Sequence, residues 1–169
     1  ACMNLNRVDT LTLVNTLEHR NMFWRLTAQR LLVDGNRQDT VSKLLKLLDQ
    51  PAPASVHALW VLHGLGVLDS ESQLKCLISR DPALRRNAIR AIPHNLEGKK
   101  MLYDSAVLAD KDLLVRLDAF VKLASFELDK GIRKTASLLM QNPQNSDDEW
   151  LRLPLQAMGA GELNLVGYE

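Results

Sequence analysis

A fixed spacing constrains this chain more than any other feature. The stretch Ala-Ser-Val-His-Ala-Leu-Trp-Val-Leu-His-Gly-Leu-Gly at residues 54–66 has counterparts from one end of the sequence to the other. One register position is filled by Arg25, Ser55, Arg85, Arg116 and Arg152, at steps of 30, 30, 31 and 36 residues. Three residues later in each copy stands Ala28, Ala58, Ala88, Ala119 or Leu155. Self-similarity at a period of this size is the mark of a repeat architecture, in which each unit is one supersecondary element.

Each unit carries two apolar stretches with helical period. Val41, Leu44, Leu45 and Leu48 fall at i, i+3, i+4 and i+7, which places them on one face of a helix. Asp49-Gln50-Pro51-Ala52-Pro53 cannot continue that helix, and Ala58, Val61, Leu62 and Leu65 then share a face of the next, which Gly64 and Gly66 let end. The same reading runs through the chain and predicts five helix pairs, at about 9–36, 39–68, 70–96, 98–128 and 130–158, with an irregular tail at 159–169. Asp9 and Ser70 are expected as N-caps. Asp81-Pro82 opens a helix with proline in its first turn, and Pro93 closes it. Met101, Leu102, Ser105, Ala106 and Ala109 are expected on one helix, Gln141 to Asn145 in a turn, and Ser146 to Glu149 in a capping box. A pair of about 30 residues buries only one face and is marginal alone, so neighbours must stack into a continuous core. The repeated alanine is small because helices approach closely there.

These residues resemble HEAT repeats. Asp81-Pro82-Ala83-Leu84-Arg85-Arg86-Asn87-Ala88 is similar to the family's second-helix opening, an Asp-Pro turn followed by Val/Leu-Arg-x-x-Ala. The resemblance spans residues 9 to about 158. It implies an all-α right-handed superhelix, or solenoid, of about five helix pairs in a single domain over 1–169. Its fifth unit departs from the pattern, with Pro154 inside the helix and Leu155 for alanine, as a cap would. A narrower resemblance rests on residues 21–32 and 56–66. They are similar to the HEAT segment of large exported bacterial proteins that join a sorbosone-dehydrogenase-like propeller, HEAT repeats and a c-type cytochrome. That implies a spacer or docking domain of a periplasmic or cell-surface redox enzyme. The haem attachment motif Cys-x-x-Cys-His is not in the sequence.

Composition narrows the rest. The chain has 169 residues, enough for one real core, and its net charge of +1 gives no global pull toward nucleic acid. No apolar run approaches the roughly 18 to 20 residues that span a bilayer, and residues 1–7 lack the apolar region of a signal peptide. The chain does not begin with Met and is expected to be a monomeric domain cut from a larger protein. Cys2 and Cys76 lie in different repeats, where no disulfide is expected, and two cysteines alone do not make a four-ligand metal site.

Packing competes with function at each candidate site. His57 and His63 are six residues apart, roughly 120° off a common helix face, with no acid between them, so packing is favoured over a metal. The repeated arginines fit a structural ladder, bonding turn carbonyls and carboxylates such as Asp81, Asp112 and Asp118. They also fit an anion-binding stripe on a concave face. Arg80, Arg85, Arg86, Arg90, Lys99 and Lys100 make the middle of the chain basic, as in helical-repeat DNA glycosylases. The balancing acids and the lack of interleaved exposed aromatics weigh against nucleic acid. Trp24, Trp60 and Trp150 are expected in packing, with one free to serve as a hot spot. The acids Asp147, Asp148 and Glu149 fit a solvated helix end. No nucleophile stands beside a base and no glycine-rich phosphate loop is present, so no catalytic, metal or cofactor residue is assigned. The reading is a non-enzymatic scaffold or protein-interaction module. Its partner is another protein or a neighbouring domain, met on the second-helix face at Trp24, Arg25, His57, Trp60, Arg85, Arg86 and Arg116. A redox-enzyme spacer and a nucleic-acid-binding array are the alternatives.

Overall fold

The structure, a computed structural model, describes residues 8–161. Among these the fold is all-α, with eleven helices, two short 3-10 turns and no strand. The chain divides into two compact units at Ala91 and Ile92. Residues 1–7 and 162–169, which include Cys2 and most of the expected irregular tail, lie outside the described residues.

The first unit is three helix hairpins. They are α1 (Thr10–Thr16) with α2 (Met22–Asp34), α3 (Val41–Leu47) with α4 (Ala54–Gly64), and α5 (Ser70–Leu77) with α6 (Pro82–Arg90). Partners pack within each hairpin, α2 packs on α4, and α4 on α6, so the three second helices form a row. Ala28, Ala58 and Ala88 are fully buried in that row, as small residues are where backbones approach closely. Leu17, Leu32, Leu44, Leu59, Leu62, Leu77 and Ile89 fill the core around them.

The second unit holds α7 (Leu96–Asp104), α8 (Leu113–Ala124), α9 (Lys130–Met140), the one-turn α10 (Pro143–Ser146) and α11 (Glu149–Ala157). Here α11 is the centre, packing on α8, α9 and α10. Ala119, Phe120, Leu123, Ile132, Leu151 and Leu155 are buried between them. Gly98 sits in the first turn of α7 because a Cβ there would lie 1.9 Å from the Pro93 carbonyl oxygen.

Helix starts follow one chemical rule. Every helix except α3 and α4 begins after an Asp or Asn whose side chain accepts a backbone N–H of the first turn. Asp9 and Asp81 do so as expected, and Pro82 fills the first helical position. Three expectations are corrected. Asp69, not Ser70, caps α5, its carboxylate accepting from Ser72 N at 2.7 Å. The helix expected through Ala109 ends at Asp104: Ser105 Oγ donates back to the Met101 carbonyl at 2.6 Å, competing for a helical acceptor. Ala106 then turns left-handed at φ 57° and sends Val107 and Leu108 inward. In place of a capping box at Ser146, the Asn142-capped Pro143 starts α10, which absorbs Ser146, and Asp148 caps α11. Pro154 does lie inside α11. No helix among the described residues is long and apolar enough to cross a membrane.

Candidate functional site

The repeated arginines share one geometry. Arg25 Nη1 donates to the carbonyls of His19 (2.7 Å) and Arg20 (3.0 Å). Arg85 Nη1 donates to Ser79 (2.8 Å) and Arg80 (3.2 Å). Arg116 reaches the Asp110 carbonyl at 3.1 Å and Arg152 the Ser146 carbonyl at 3.5 Å. Each arginine thus reaches back six residues to hold the turn that precedes its own helix. Arg85 and Arg116 are buried, 6% and 4% exposed. Where the register has Ser55, the hydroxyl is buried with no hydrogen-bond partner. The turn before α4 is held instead by Asp81, whose Oδ2 accepts from Ala52 N at 3.2 Å.

His57 is buried on α4 and faces α2. Arg25 Nε lies 3.0 Å from His57 Nε2, and His57 Nδ1 lies 2.7 Å from Gln29 Oε1. The guanidinium N–H only donates, so Nε2 accepts, and Nδ1 carries the proton it gives to Gln29. Burial, and secondarily the Arg25 charge, hold the His57 pKa below its ordinary value. The ring is therefore neutral and serves as a bridge between helices. One repeat on, Trp60 donates from Nε1 to Asn87 Oδ1 at 2.8 Å, bridging α4 to α6, and packs edge-on against His63. Trp24 is half-buried and edge-on to Phe23 at 5.0 Å. Arg86 is half-buried on α6. Arg25 and His57 are brought together; Arg116 belongs to the other unit.

A different set of side chains faces outward. Two residues before each register position the chain has Phe23, Pro53, Ala83, Leu114 and Trp150, all apolar and all exposed. Trp150 is 71% exposed, Phe23 63% and Leu114 51%. One residue after the register position come Leu26, Val56, Arg86, Leu117 and Leu153, apolar in four of five copies. In the second unit, Leu113, Leu114 and Leu117 of α8, Trp150 and Leu151 of α11, and Asp148, the cap of α11, line a cleft of about 270 Å³. Reading the sequence by its core periodicity missed Phe23, Leu114 and Trp150 as surface residues. The signal that finds them is the repeat register applied to the outer face.

Elsewhere the chemistry is quiet. A hollow of about 670 Å³ in the first unit is lined by Lys75, Asp49, Arg80, Asp81 and Cys76, among others. Lys75 and Asp49 pair there at 2.6 Å on the surface. Burial pushes the Cys76 thiol up to about 11, so it is no thiolate near neutral pH. Lys99 pairs with Asp129, the cap of α9. Among the described residues no group of three or more His, Cys, Asp or Glu is placed to hold a metal ion.

Compared with known protein families and with curated proteins, the sequence matches none.

Proposed function

We propose that this chain is a non-catalytic, HEAT-like helical-repeat module that binds a protein partner through the N-terminal ends of its second helices. One observation carries the reading. The exposed apolar residues Phe23, Ala83, Leu114 and Trp150 each stand second in a second helix, and Pro53 stands at the N-cap of α4. Scattered surface leucines are ordinary, but apolar exposure tied to a structural register is what a docking surface requires. The row of α2, α4 and α6, and the buried alanine of each, support the HEAT-like build. The arginines support it as well, since they hold turns rather than offer a free cationic stripe. That weighs against the nucleic-acid alternative.

The test is positional. A photoreactive phenylalanine analogue is placed at Phe23, at Leu114, or at Leu138, an exposed residue of the first helix α9. Crosslinking is carried out in cells that make the protein. The expected result is one partner protein joined at Phe23 or Leu114, little at Leu138, and loss of the adduct at Leu114 with Trp150→Asp. Equal labelling at all three sites, or adducts with nucleic acid, would replace this reading.

A further inference from the structure

Resting on that docking reading, we propose that the cleft between the N-terminal ends of α8 and α11 takes a basic amphipathic peptide segment. One bulky apolar side chain of the segment enters the cleft, and an adjacent lysine or arginine lies across Trp150. The cleft has apolar walls, Leu113, Leu114 and Leu117 on one side and Trp150 on the other, and its one charged lining group is the Asp148 carboxylate. Asp147 and Glu149, the neighbours of Asp148, are exposed, so three acids stand in succession where α11 begins. The arginines of the two helices that form the cleft, Arg116 of α8 and Arg152 of α11, are turned to other acceptors. Arg116 is buried and donates to the Asp110 carbonyl and Gln144, and Arg152 donates to the Ser146 carbonyl.

The combination selects a particular chemistry. An apolar segment alone would leave the carboxylates facing apolar groups, and an acidic one would be repelled. The aliphatic stem of Lys or Arg packs on apolar surface while its head stays polar. Over an exposed indole, the cation also gains attraction from the ring face. Tryptophan is among the side chains that most often dominate binding energy at an interface.

The probe is a phage-displayed library of random linear peptides selected on the purified 169-residue chain. Enriched peptides are synthesised and their affinities measured by titration calorimetry. Two variants serve as comparators: Trp150→Ala, and the double charge reversal Asp147→Lys with Glu149→Lys, which spares the Asp148 cap. Circular dichroism checks that both stay folded. The expected result is a shared pattern of one bulky apolar residue beside Lys or Arg. Affinity should fall about tenfold or more with either variant and weaken as salt rises. Peptides that need Trp150 but lack basic residues, or that ignore the charge reversal, would overturn the basic partner and leave the docking reading standing. If no enriched peptide depends on Trp150, the cleft proposal is overturned. The docking reading is judged separately, by the crosslinking pattern at Phe23 and Leu114 against Leu138.

Discussion

Arg25 in the first unit and Arg116 in the second hold the same register position, yet their neighbours satisfy them differently. Arg25 gives Nη1 to turn carbonyls and Nε to His57, two residues past the next register position. Arg116 gives Nη1 to a turn carbonyl and to Gln144, but its Nε and Nη2 are buried with no acceptor. The residue that would face it, two past the next register position, is Pro154. Where the first unit has a histidine the second has a proline, which offers Arg116 Nε no acceptor and leaves a buried cation with donors to spare. The turn-holding role belongs to the repeat itself; the bridge between helices is local and is lost first.

The largest effect should come where the two units are alike. Ala58 and Ala119 are fully buried three residues after their register positions. Replacing either by Leu should overpack the helix contact and cost about 1–3 kcal/mol, read as a drop in the urea midpoint at unchanged slope. A harmless change in both would mean that the shared alanine is not a packing constraint, and the comparison of the two arginines would lose its common frame.

Next comes the contrast itself. Arg25→Met leaves two turn carbonyls and His57 Nε2 without a donor and should cost about 2 kcal/mol. Arg116→Met gives up one carbonyl bond and the Gln144 contact, but removes a desolvated charge that has no carboxylate opposite it. It should stay within about 1 kcal/mol of the parent. Equal costs in the two variants would show that the unpaired donors of Arg116 carry no penalty.

Much of this frame was legible in the sequence, and the reasons are specific. Asp81-Pro82 announces its helix because both residues act locally, the carboxylate on the Ala83 N–H and the ring on its own φ. The buried alanines were legible because a fixed step of about one repeat carries them to equivalent places. What escaped depends on choices between near-equals or on rotation between helices. Asp69 and Ser70 are both capping residues side by side, and only the backbone path decides which one is left outside the helix. Whether His57 meets Arg25 depends on how α4 is rotated against α2, which no spacing records. Trp150 was expected in packing on its residue type, whereas its place two before Arg152 puts it on the open face.

Supplying the missing acceptor is a smaller and sharper test. Pro154→Ala and Pro154→His both restore a backbone N–H inside α11, so their difference isolates the side chain. His at this position should reach the Arg116 guanidinium as His57 reaches Arg25. It should leave the protein about 1 kcal/mol more stable than the alanine variant, even though alanine is the better helix former. The two stabilities come from parallel denaturant titrations. An alanine variant as stable as the histidine one would mean that Arg116 is already content in its surroundings.

The smallest effect needs only a proton. Burial first, and the Arg25 charge second, lower the pKa of His57 in the folded chain, while the unfolded chain titrates near its ordinary 6.5. Below that value the unfolded state binds a proton that the folded state refuses, so stability is whole above about pH 6.5 and falls as the pH drops toward the lowered folded value. The structural reason is visible at Nε2: once protonated it can no longer accept from Arg25, and two N–H groups face each other across 3.0 Å. The informative quantity is the difference between the parent and His57→Gln, followed by denaturant titration from pH 7.5 to 5.5. The parent should lose more stability over that range than the variant. Arg25→Met should show an intermediate loss, because it removes the charge and leaves the burial. If the parent and His57→Gln fall in parallel, the histidine is not titrating against its burial, and the bridge that distinguishes the first unit from the second is weaker than its geometry implies.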